Sequence, residues 1–551
     1  MPELNWIGKD KVINHDKELP YRVLKANPKL STSSKSDNII IQGDNLEALK
    51  SLMPFYYKAI KCIYIDPPYN TGNEGWKYND KVSSPQIKAW LNDVVGPEGE
   101  DLCRHDKWLC MMYPRLKLLH QLLKDDGVIF ISIDNNEYHN LQAIMDEIFG
   151  VRNYVGTVVW KNANDNNPTN VSVEHEYIVC YAKSKPDIES VWKSANIDVK
   201  EKLEQISKEL NSKYADPADL QSAYTAWYRE NKAELWPFND YKFIDKGGVF
   251  TGSRSVHNPG KEGYRYDVIH PETGKACTQP LMGYRFPEET MKRLIAEGKI
   301  IFGRDETKLL ELKLYAKDYK AKLSSVYELD GRTGTNEIKT IFPEDKRPFN
   351  FPKPSILIED LISFVTRDDD IILDSFAGSG TTGQAVLNLN KADGGNRKFI
   401  LIELEESIAH NITSERIRRV IKGYPGSRYP EGTGGTFQFL DLNGKLFNED
   451  GFIGNHAKYE DLAAYIYYTE TKKHVDLEKI EKPFIGASGS KKFYLVFDEP
   501  KNNVLNEKLA LEFCDGTKTA VVYADKCLLD EERLKALNII FKQIPYEIKK
   551  Y

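Results

Sequence analysis

Cysteine is scarce in this chain of 551 residues, and the pattern of its seven cysteines excludes several classes of protein. The number is odd and no Cys-x-x-Cys pair occurs, so neither a disulfide framework nor a four-cysteine zinc site is expected. Cys103, His105 and Cys110 lie close in sequence, but their spacing matches no common zinc module, and we expect no metal site. Unpaired cysteines are typical of a reducing compartment, so we expect a cytoplasmic protein.

Long apolar segments, a nucleotide-hydrolysis motif and an excess of basic residues are also missing. The N-terminal sequence MPELNWIGKDKVINHDK lacks the apolar centre of a signal peptide, and no apolar run is long enough to cross a bilayer. The triplet Gly-Lys-Ser/Thr occurs nowhere, which argues against an ATP-driven translocase or nuclease. Because the net charge is −6, any DNA binding must depend on a local basic surface.

What the sequence does contain, from Asn38 onward, is an alternation of apolar strand-like segments and helical segments. Asp44 or Asn45 can cap a helix in NLEALKSL, and a second helix in KWLCMMYPRLKLLHQLL is expected to start or bend at Pro114. The predicted strands lie in NIIIQGD, KCIYI, GVIFISID, VGTVVW and EYIVCYAK. This alternation predicts an α/β fold with a mostly parallel, doubly wound sheet covered on both faces.

Changes in composition divide the chain into five segments. A charged, aromatic stretch with mixed periodicity indicates a domain inserted into the α/β part of the sequence. A second, smaller α/β unit ends the chain. The predicted segments are 1–37, 38–184, 185–332 (the insert), 333–434 and 435–551.

A glycine-rich loop, ILDSFAGSGTTG, follows one predicted strand and precedes a helix. Gly378, Gly380 and Gly383 have the G-x-G-x-x-G spacing that lets a backbone approach a ligand closely. Asp374 ends the strand before the loop, and Glu403 ends the next strand, where doubly wound sheets bind a ribose diol. The alternative interpretation is that both carboxylates only cap helices.

The tetrapeptide Asp66-Pro67-Pro68-Tyr69 directly follows a predicted strand. The exocyclic amino nitrogen of a nucleobase is a poor nucleophile because its lone pair is delocalised into the ring. A carboxylate and a backbone carbonyl that accept its two N–H groups direct the lone pair toward an electrophile. Asp66 supplies the carboxylate, the prolines a rigid turn with carbonyl acceptors, and Tyr69 a face for an extruded base. A turn that merely shapes a loop is the alternative.

Together, DPPYNTG and DSFAGSGTTG resemble the amino-methylating DNA methyltransferases that use S-adenosyl-L-methionine. The order of the motifs resembles the β-class, whose methyltransferase sheet is circularly permuted with an inserted target-recognition domain. IIIQGDNLEALKSL, DGVIFISIDNNE, HEYIVCYAK and FNFPKPSILIEDLI extend the similarity to the modification subunit of type III restriction–modification systems. Ser375 departs from the family, which often has proline there.

The resemblance implies roles for individual residues. Asp66 and the Pro67 carbonyl would bind the target amino group, and Tyr69 would stack on the flipped base. Segments 38–184 and 333–434 would be the catalytic and cofactor-binding halves of the methyltransferase domain, and 435–551 would serve dimerisation or partner docking. The implied cofactor-binding residues are Asp44, Asn45, Lys353, Ser355, Asp374, Phe376, Ala377, Gly378, Gly380, Thr381 and Glu403.

The inserted segment is the candidate reader of double-stranded DNA. Tyr241, Tyr264, Tyr266 and Tyr284 lie between basic residues that could contact phosphates and base edges: Lys242, Lys246, Arg254, Lys261, Arg265 and Arg285. A solvated basic face is the alternative, and Tyr224, Trp227 and Tyr228 read as packing residues of a helix.

The family resemblance implies a site-specific adenine-N6 methyltransferase. It also implies a homodimer and a separate helicase/nuclease restriction subunit as partners. Asp rather than Ser before Pro-Pro-Tyr favours adenine N6 over cytosine N4, which remains the nearest alternative. An alternative of another class is a catalytically inactive DNA-binding specificity subunit.

Overall fold

The computed structural model describes residues 4–71, 104–163, 170–192, 198–232, 235, 238, 240–253, 256–258, 261–319, 322–367, 369–474, 480–497, 503–514, 516–545 and 548. The chain divides into two compact units. The first comprises Met1–Trp192 and Leu323–Tyr551, and the second comprises Lys193–Lys322. The second unit is thus an uninterrupted segment that separates two parts of the first unit along the chain.

The described residues contain twenty strands, numbered here in chain order: β1 (Arg22–Ala26), β2 (Ile39–Gln42), β3 (Ile60–Ile65), β4 (Leu123–Ile133), β5 (Tyr154–Lys161), β6 (His175–Ala182), β7 (Phe243–Asp245), β8 (Gly248–Ser253), β9 (Ile300–Ile301), β10 (Glu311–Tyr315), β11 (Val326–Glu328), β12 (Ile371–Asp374), β13 (Lys398–Glu403), β14 (Gln438–Lys445), β15 (Phe484–Ser488), β16 (Lys491–Leu495), β17 (Val504–Leu505), β18 (Thr519–Ala524), β19 (Lys526–Cys527) and β20 (Ile539–Gln543).

The α-helices of the described residues are Lys9–Val12, His15–Glu18, Asn45–Tyr56, Arg104–Leu122, Tyr138–Met145, Asp198–Lys213, Pro217–Asn231, Glu288–Ala296, Arg332–Ile341, Ser355–Val365, Thr381–Asp393, Glu406–Ile408, Ser414–Lys422, Tyr459–Thr471, Glu507–Phe513 and Glu531–Ala536. Single π-helical turns at Asp146–Gly150 and Ala409–Thr413 and 3-10 turns at Val151–Asn153, Lys185–Asp187 and Ala316–Asp318 complete the list.

The first unit is built on a ten-stranded sheet in the order β1-β14-β2-β13-β12-β3-β4-β6-β5-β11. The six strands β14, β2, β13, β12, β3 and β4 run parallel to one another. The strand β1 runs antiparallel to β14, and β6 runs antiparallel to β4 and β5. The central strands are apolar because both faces are covered; Ile63, Leu373 and Ile400, for example, are fully buried. The expected α/β fold with a mostly parallel sheet is confirmed, and the circular permutation remains a prediction.

The last part of the chain is joined more closely to the large sheet than the expected boundary at residue 435 implies. β14 pairs with β2 inside that sheet, and the helix Tyr459–Thr471 packs into the same core, where Tyr465 lies edge-on against Tyr21. Strands β15, β16, β18 and β20 form a separate small sheet with its own core. That smaller α/β layer therefore begins near Phe484.

The helix Arg104–Leu122 contains Pro114 in its interior, so the expectation that it starts at this proline is wrong. Trp108 and Met111, in the turns before the proline, are fully buried. Their packing offsets the hydrogen bond that a proline without an N–H group cannot donate.

The second unit combines the four-stranded sheet β7-β8-β10-β9 with three helices. Tyr224 and Tyr228 are buried in one of its cores, as expected for packing residues. No helix within the described ranges is long and apolar enough to cross a membrane.

Candidate active site

Four carboxylates follow or end adjacent parallel strands. The strands β2, β13, β12 and β3 are consecutive in the sheet. Asp44 follows β2, Glu403 ends β13, Asp374 ends β12 and Asp66 follows β3. Because ligands bind at the carboxyl ends of the strands in doubly wound sheets, this edge is the expected site.

A cavity partly open to solvent lies at this edge, with about 900 Å³ of empty space when the open solvent is included. Asp66 and Pro68 line it together with the glycine loop, so the two motifs face one space although they are far apart in sequence. The described lining residues are Asn45, Tyr64, Asp66, Pro68, Met111, Arg115, Phe349, Phe351, Pro352, Lys353, Asp374, Ser375, Phe376, Ala377, Gly378, Ser379, Thr381, Thr382, Ile402, Glu403, Leu404 and Ile408.

The glycine loop has a backbone that only glycine adopts readily. Gly378 and Gly380 have φ values of 51° and 82°, in the left-handed region. Gly383, the third glycine of the spacing, has no room for a side chain, because an added Cβ would lie 2.7 Å from Ile417 Cδ1 and 2.9 Å from Leu401 Cδ1. The helix Thr381–Asp393 therefore packs closely on the sheet, with its N-terminal end at the cavity.

Asp374 and Glu403 both hold the backbone of this loop. Asp374 Oδ1 accepts from the Phe376 N–H at 3.0 Å, and Oδ2 accepts from Thr382 Oγ1 at 2.5 Å. Glu403 Oε2 accepts from the Gly378 N–H at 2.9 Å. Burial raises the pKa of Asp374 to about 7. The carboxylates thus shape the loop, and both also line the cavity.

Asp66 belongs to a charged group with Lys353, Glu176 and Tyr69, in which Lys353 and Tyr69 are buried and the two carboxylates are partly buried. Lys353 Nζ lies 3.1 Å from Asp66 Oδ2 and 3.1 Å from Glu176 Oε2, and it donates to Tyr69 Oη at 2.8 Å. The second Asp66 oxygen, Oδ1, is buried and has no hydrogen-bond partner among the residues that the structure describes. Burial raises the pKa of Asp66, and Lys353 opposes that rise.

The ring of Tyr69 is more buried than a ring free to stack on a base would be. The carbonyl of Pro68 already has a hydrogen-bond donor. Tyr69 is 5% exposed, and its hydroxyl donates to Glu176 Oε2 at 2.8 Å. The Pro68 carbonyl accepts from Trp108 Nε1 at 2.7 Å. Pro67 is buried beside them. Stacking of a base on Tyr69 and acceptance by the Pro67 carbonyl remain predictions.

Asn45 connects two of the strand ends. Its Nδ2 donates to the Ser375 carbonyl at 2.8 Å, and its Oδ1 accepts from Arg115 Nε at 2.5 Å. Asp44 caps the helix Asn45–Tyr56 by accepting from the Leu46 N–H, as the sequence predicted. Ser355 donates its hydroxyl to Glu337 at 2.5 Å. Asp44 and Ser355 are not among the described residues that line the cavity.

The candidate DNA-binding residues of the second unit are exposed where the structure describes them, namely at Lys242, Lys246, Lys261, Arg265 and Arg285. Arg254 lies outside the described residues.

The tyrosines between these basic residues differ in exposure. Tyr264 is 52% exposed, whereas Tyr241 and Tyr284 are buried. The ring of Tyr266 stacks on that of Tyr284, with 4.8 Å between the ring centroids. The rings of Tyr241 and Tyr284 belong to two different cores of the second unit, and DNA contact by the basic residues remains a prediction.

Several site residues were missed by the sequence analysis. Phe349 and Phe351 lie in the segment FNFPKPSILIEDLI, and Glu176 lies in the strand HEYIVCYAK. A carboxylate at the start of an otherwise apolar strand was the available signal for Glu176. Arg115, which lies in an apolar helix, carried a similar signal because a buried charge needs a partner.

This arrangement matches a known class of protein, since a family model described as DNA methylase covers residues 60–414 of the chain. The chain belongs to this DNA methylase family.

Three curated relatives are similar to the chain. The EcoP15I Mod subunit of a type III restriction-modification enzyme from Escherichia coli is 51% identical over 416 residues, which are 73% of this chain and 64% of the relative. The StyLTI Mod subunit from Salmonella typhimurium is 33% identical, over 75% of this chain and 60% of the relative. The type II methyltransferase M.KpnI from Klebsiella pneumoniae is 29% identical, over 78% of this chain and 97% of the relative. The chain thus matches less than two thirds of the length of the two Mod subunits.

Proposed function

We propose that this chain is a site-specific DNA methyltransferase that transfers a methyl group from S-adenosyl-L-methionine to N6 of an adenine flipped out of double-stranded DNA. The observation that carries the proposal is the shared cavity, lined by Asp66 with its unpartnered carboxylate oxygen and by the glycine loop. Membership of the DNA methylase family supports it, and the names of the Mod relatives support a role in a type III restriction–modification system.

The residues of the cavity fit S-adenosyl-L-methionine. The lining of the cavity combines apolar and aromatic side chains with a few carboxylates, as small-molecule sites commonly do. At Gly378 a side chain would enter a crowded space, because an added Cβ would lie 3.2 Å from Phe349 Cζ. Residues from Phe376 to Thr381, with Asn45 and Glu403, would hold the cofactor. When bound, it supplies a methyl group on a sulfonium, which is an electrophile for a neutral amine.

The chain's own contribution to the reaction is to orient and polarise the amine of the base. Asp66 accepts one N–H of the amino group, and the Pro67 carbonyl accepts the other, since Trp108 already occupies the Pro68 carbonyl. Withdrawal of both hydrogens from the plane of the ring exposes the nitrogen lone pair. The fixed carboxylate also stabilises the positive charge that develops on the nitrogen. This polarisation requires an ionised Asp66, so methyl transfer falls at acidic pH.

The second unit supplies the proposed DNA contacts. Its exposed Lys261 and Arg265 are suited to phosphates or to guanine edges. A homodimer and a separate restriction subunit are proposed partners, because the chain is similar to proteins named Mod subunits.

The deciding experiment analyses the product of the purified protein. DNA incubated with the protein and isotope-labelled cofactor is digested to nucleosides and examined by mass spectrometry. We expect labelled N6-methyladenine at a defined sequence; labelled N4-methylcytosine would instead establish the cytosine alternative. Absence of any labelled nucleoside, with DNA still bound, would support the inactive specificity subunit.

Asp66→Ala tests the assigned chemistry. We expect a fall in methyl transfer of at least about 10²–10³-fold, because one preorganised acceptor is lost. Cofactor affinity, measured by calorimetry, should stay close to the wild-type value. Asp125→Ala is the matched control, since the side chain of Asp125 is 61% exposed. Full activity of Asp66→Ala would refute the role of this carboxylate.

A further inference from the structure

The Lys353 ammonium is saturated by protein oxygens. A lysine has three N–H donors, and three acceptors surround this one, namely Asp66 Oδ2 at 3.1 Å, Glu176 Oε2 at 3.1 Å and Tyr69 Oη at 2.8 Å. Lys353 is 7% exposed and lies over the rings of Tyr69 and Trp160 at 4.9 and 5.6 Å. Its donors are therefore directed to the tetrapeptide and to Glu176, not held available for a cofactor carboxylate.

Glu176 is itself fixed from two sides. Its Oε1 accepts from Asn162 Nδ2 at 2.7 Å, and its Oε2 accepts from Tyr69 Oη and Lys353 Nζ. It lies on β6, opposite Trp160 of the antiparallel strand β5. A rigid sheet thus holds the carboxylate that binds the lysine.

The charges of this cluster explain why two carboxylates share one lysine. Lys353 alone would neutralise Asp66 and weaken it as an acceptor. With Glu176 the three groups sum to one negative charge, so Asp66 remains an acceptor for an amine that becomes positive during the reaction. Lys353 occupies one Asp66 oxygen, and the other has no partner within the described part of the chain.

We propose that Lys353 and Glu176 are positioning residues for methyl transfer, which hold the Asp66 carboxylate in one orientation and keep one of its oxygens for the target amino group. This assignment rests on the proposed function and gives Lys353 a role different from the one implied by the family resemblance. The two residues act through Asp66 and Tyr69 and need not touch the base.

The variants Lys353→Met and Glu176→Gln test this assignment, because they should shift the acidic limb of the pH profile of kcat/KM in opposite directions. Within the described ranges, the titratable groups that face Asp66, besides Lys353 and Glu176, are Tyr69, Tyr64 and Asp374. Lys353 lowers the pKa of Asp66 and Glu176 raises it. Lys353→Met should therefore move the limb to higher pH, and Glu176→Gln should move it to lower pH.

Both variants should lower kcat about 10- to 100-fold and leave the calorimetric cofactor affinity within about twofold of wild type. Binding and extrusion of 2-aminopurine placed at the target position, which need no methyl transfer, should persist. Lys391→Met and Glu328→Gln are matched controls, since both residues are exposed. Acidic limbs that do not move in either variant would show that the pair is merely structural and overturn the proposal.

A loss of cofactor affinity of tenfold or more in Lys353→Met, with kcat unchanged, would also overturn the proposal and show that Lys353 binds the cofactor. Lys353→Ala assayed with added ethylamine provides a second test, in which rescue of kcat supports a positioned ammonium. If neither lysine variant folds, Glu176→Gln, which keeps the shape of the side chain, still tests the proposal through the shift of its acidic limb.

Failure of the proposed function is distinguishable from failure of the positioning role, because in that case the wild-type protein itself methylates no DNA. In that case the pH dependence of unfolding, measured on the same variants, still reports the two opposite shifts of Asp66. Their absence would overturn the positioning role.

Discussion

At the scale of single residues, the site contains carboxylates in contrasting environments. Asp66 lies beside a lysine, whereas Asp374 accepts hydrogen bonds from the neutral groups of Phe376 and Thr382. Burial therefore raises the pKa of Asp374 to about 7. The difference separates a carboxylate suited to chemistry from one that holds the loop.

The Asp374 carboxyl should make stability depend on pH. An unfolded aspartate ionises near pH 4, and the folded one ionises near pH 7. Between these values the folded state binds more protons, so stability falls as pH rises from about 4 to about 7, by at most about 4 kcal/mol.

Asp374→Asn should remove this part of the pH dependence, because an amide does not titrate. Urea unfolding between pH 4 and pH 8 measures the slope for the variant and for wild type. Asp450→Asn, at an exposed position, should keep the wild-type slope. Identical slopes for Asp374→Asn and wild type would show that Asp374 is ionised throughout.

At the scale of elements, the glycine loop is held between the sheet and the helix Ser414–Lys422. Arg416 of that helix is fully buried and donates to Ser379 Oγ and Thr381 Oγ1 at 2.8 Å each, and to Glu337 Oε2 at 3.0 Å. The loop is thus anchored from behind by one guanidinium, and from the sheet by Glu403.

Arg416→Met should destabilise the first unit by about 3–5 kcal/mol, because removal of one partner leaves the hydrogen-bonded groups of a buried ion pair unsatisfied. Chemical denaturation measures the loss. Arg332→Met is the control, because Arg332 pairs with Asp330 at the surface with 85% of its side chain exposed. Equal stability of both variants would show that the buried pair contributes little.

Gly383→Ala should move the helix Thr381–Asp393 away from Ile417 and Leu401, at a cost of about 1–3 kcal/mol for overpacking. We expect weaker cofactor binding in calorimetry, because the loop begins this helix. Gly394→Ala at the other end of the helix is the control: its φ is 74° but no atom lies within 4 Å of an added Cβ. It should lose some stability without losing cofactor affinity.

The helices, strands and motifs were predictable because each is encoded by residues that are close together in the sequence. β2, β3, β12 and β13 are short apolar runs that end at polar residues, and the spacing of the glycines is visible in twelve letters. The bond between Lys353 and Tyr69 joins residues 284 positions apart, and no periodicity encodes such a contact.

Burial is the property that the sequence alone did not reveal. Tyr284 carries the same side chain as the exposed Tyr264, but only the tertiary packing places one in a core and the other at the surface. Pro114 likewise lies inside a helix because buried neighbours outweigh its local preference.

At the scale of the whole molecule, the second unit has cores of its own. One core contains residues from Leu203 to Ala316 and the other residues from Val256 to Leu310, all within the unit. A segment of this size can bury enough apolar surface to fold alone.

Residues 193–322, expressed alone, should unfold cooperatively and bind DNA with an affinity that falls as salt rises. Circular dichroism and fluorescence anisotropy measure the two properties. Charge reversal at Lys261 and Arg265 should weaken binding, whereas reversal at the exposed Lys232 should have little effect. A folded segment without affinity for DNA would refute the assignment of the basic residues.

The strand order has a consequence for synthesis on the ribosome. β12 and β13 lie between β2 and β3 in the sheet, yet β13 ends at Glu403, 338 residues after β3 ends at Ile65. At about 5–20 residues per second, a nascent chain waits roughly 20–70 s before the missing central pair emerges. During that interval the edges of β2 and β3 have no neighbours from this part of the chain, so newly made protein should depend on chaperones more than the finished molecule does.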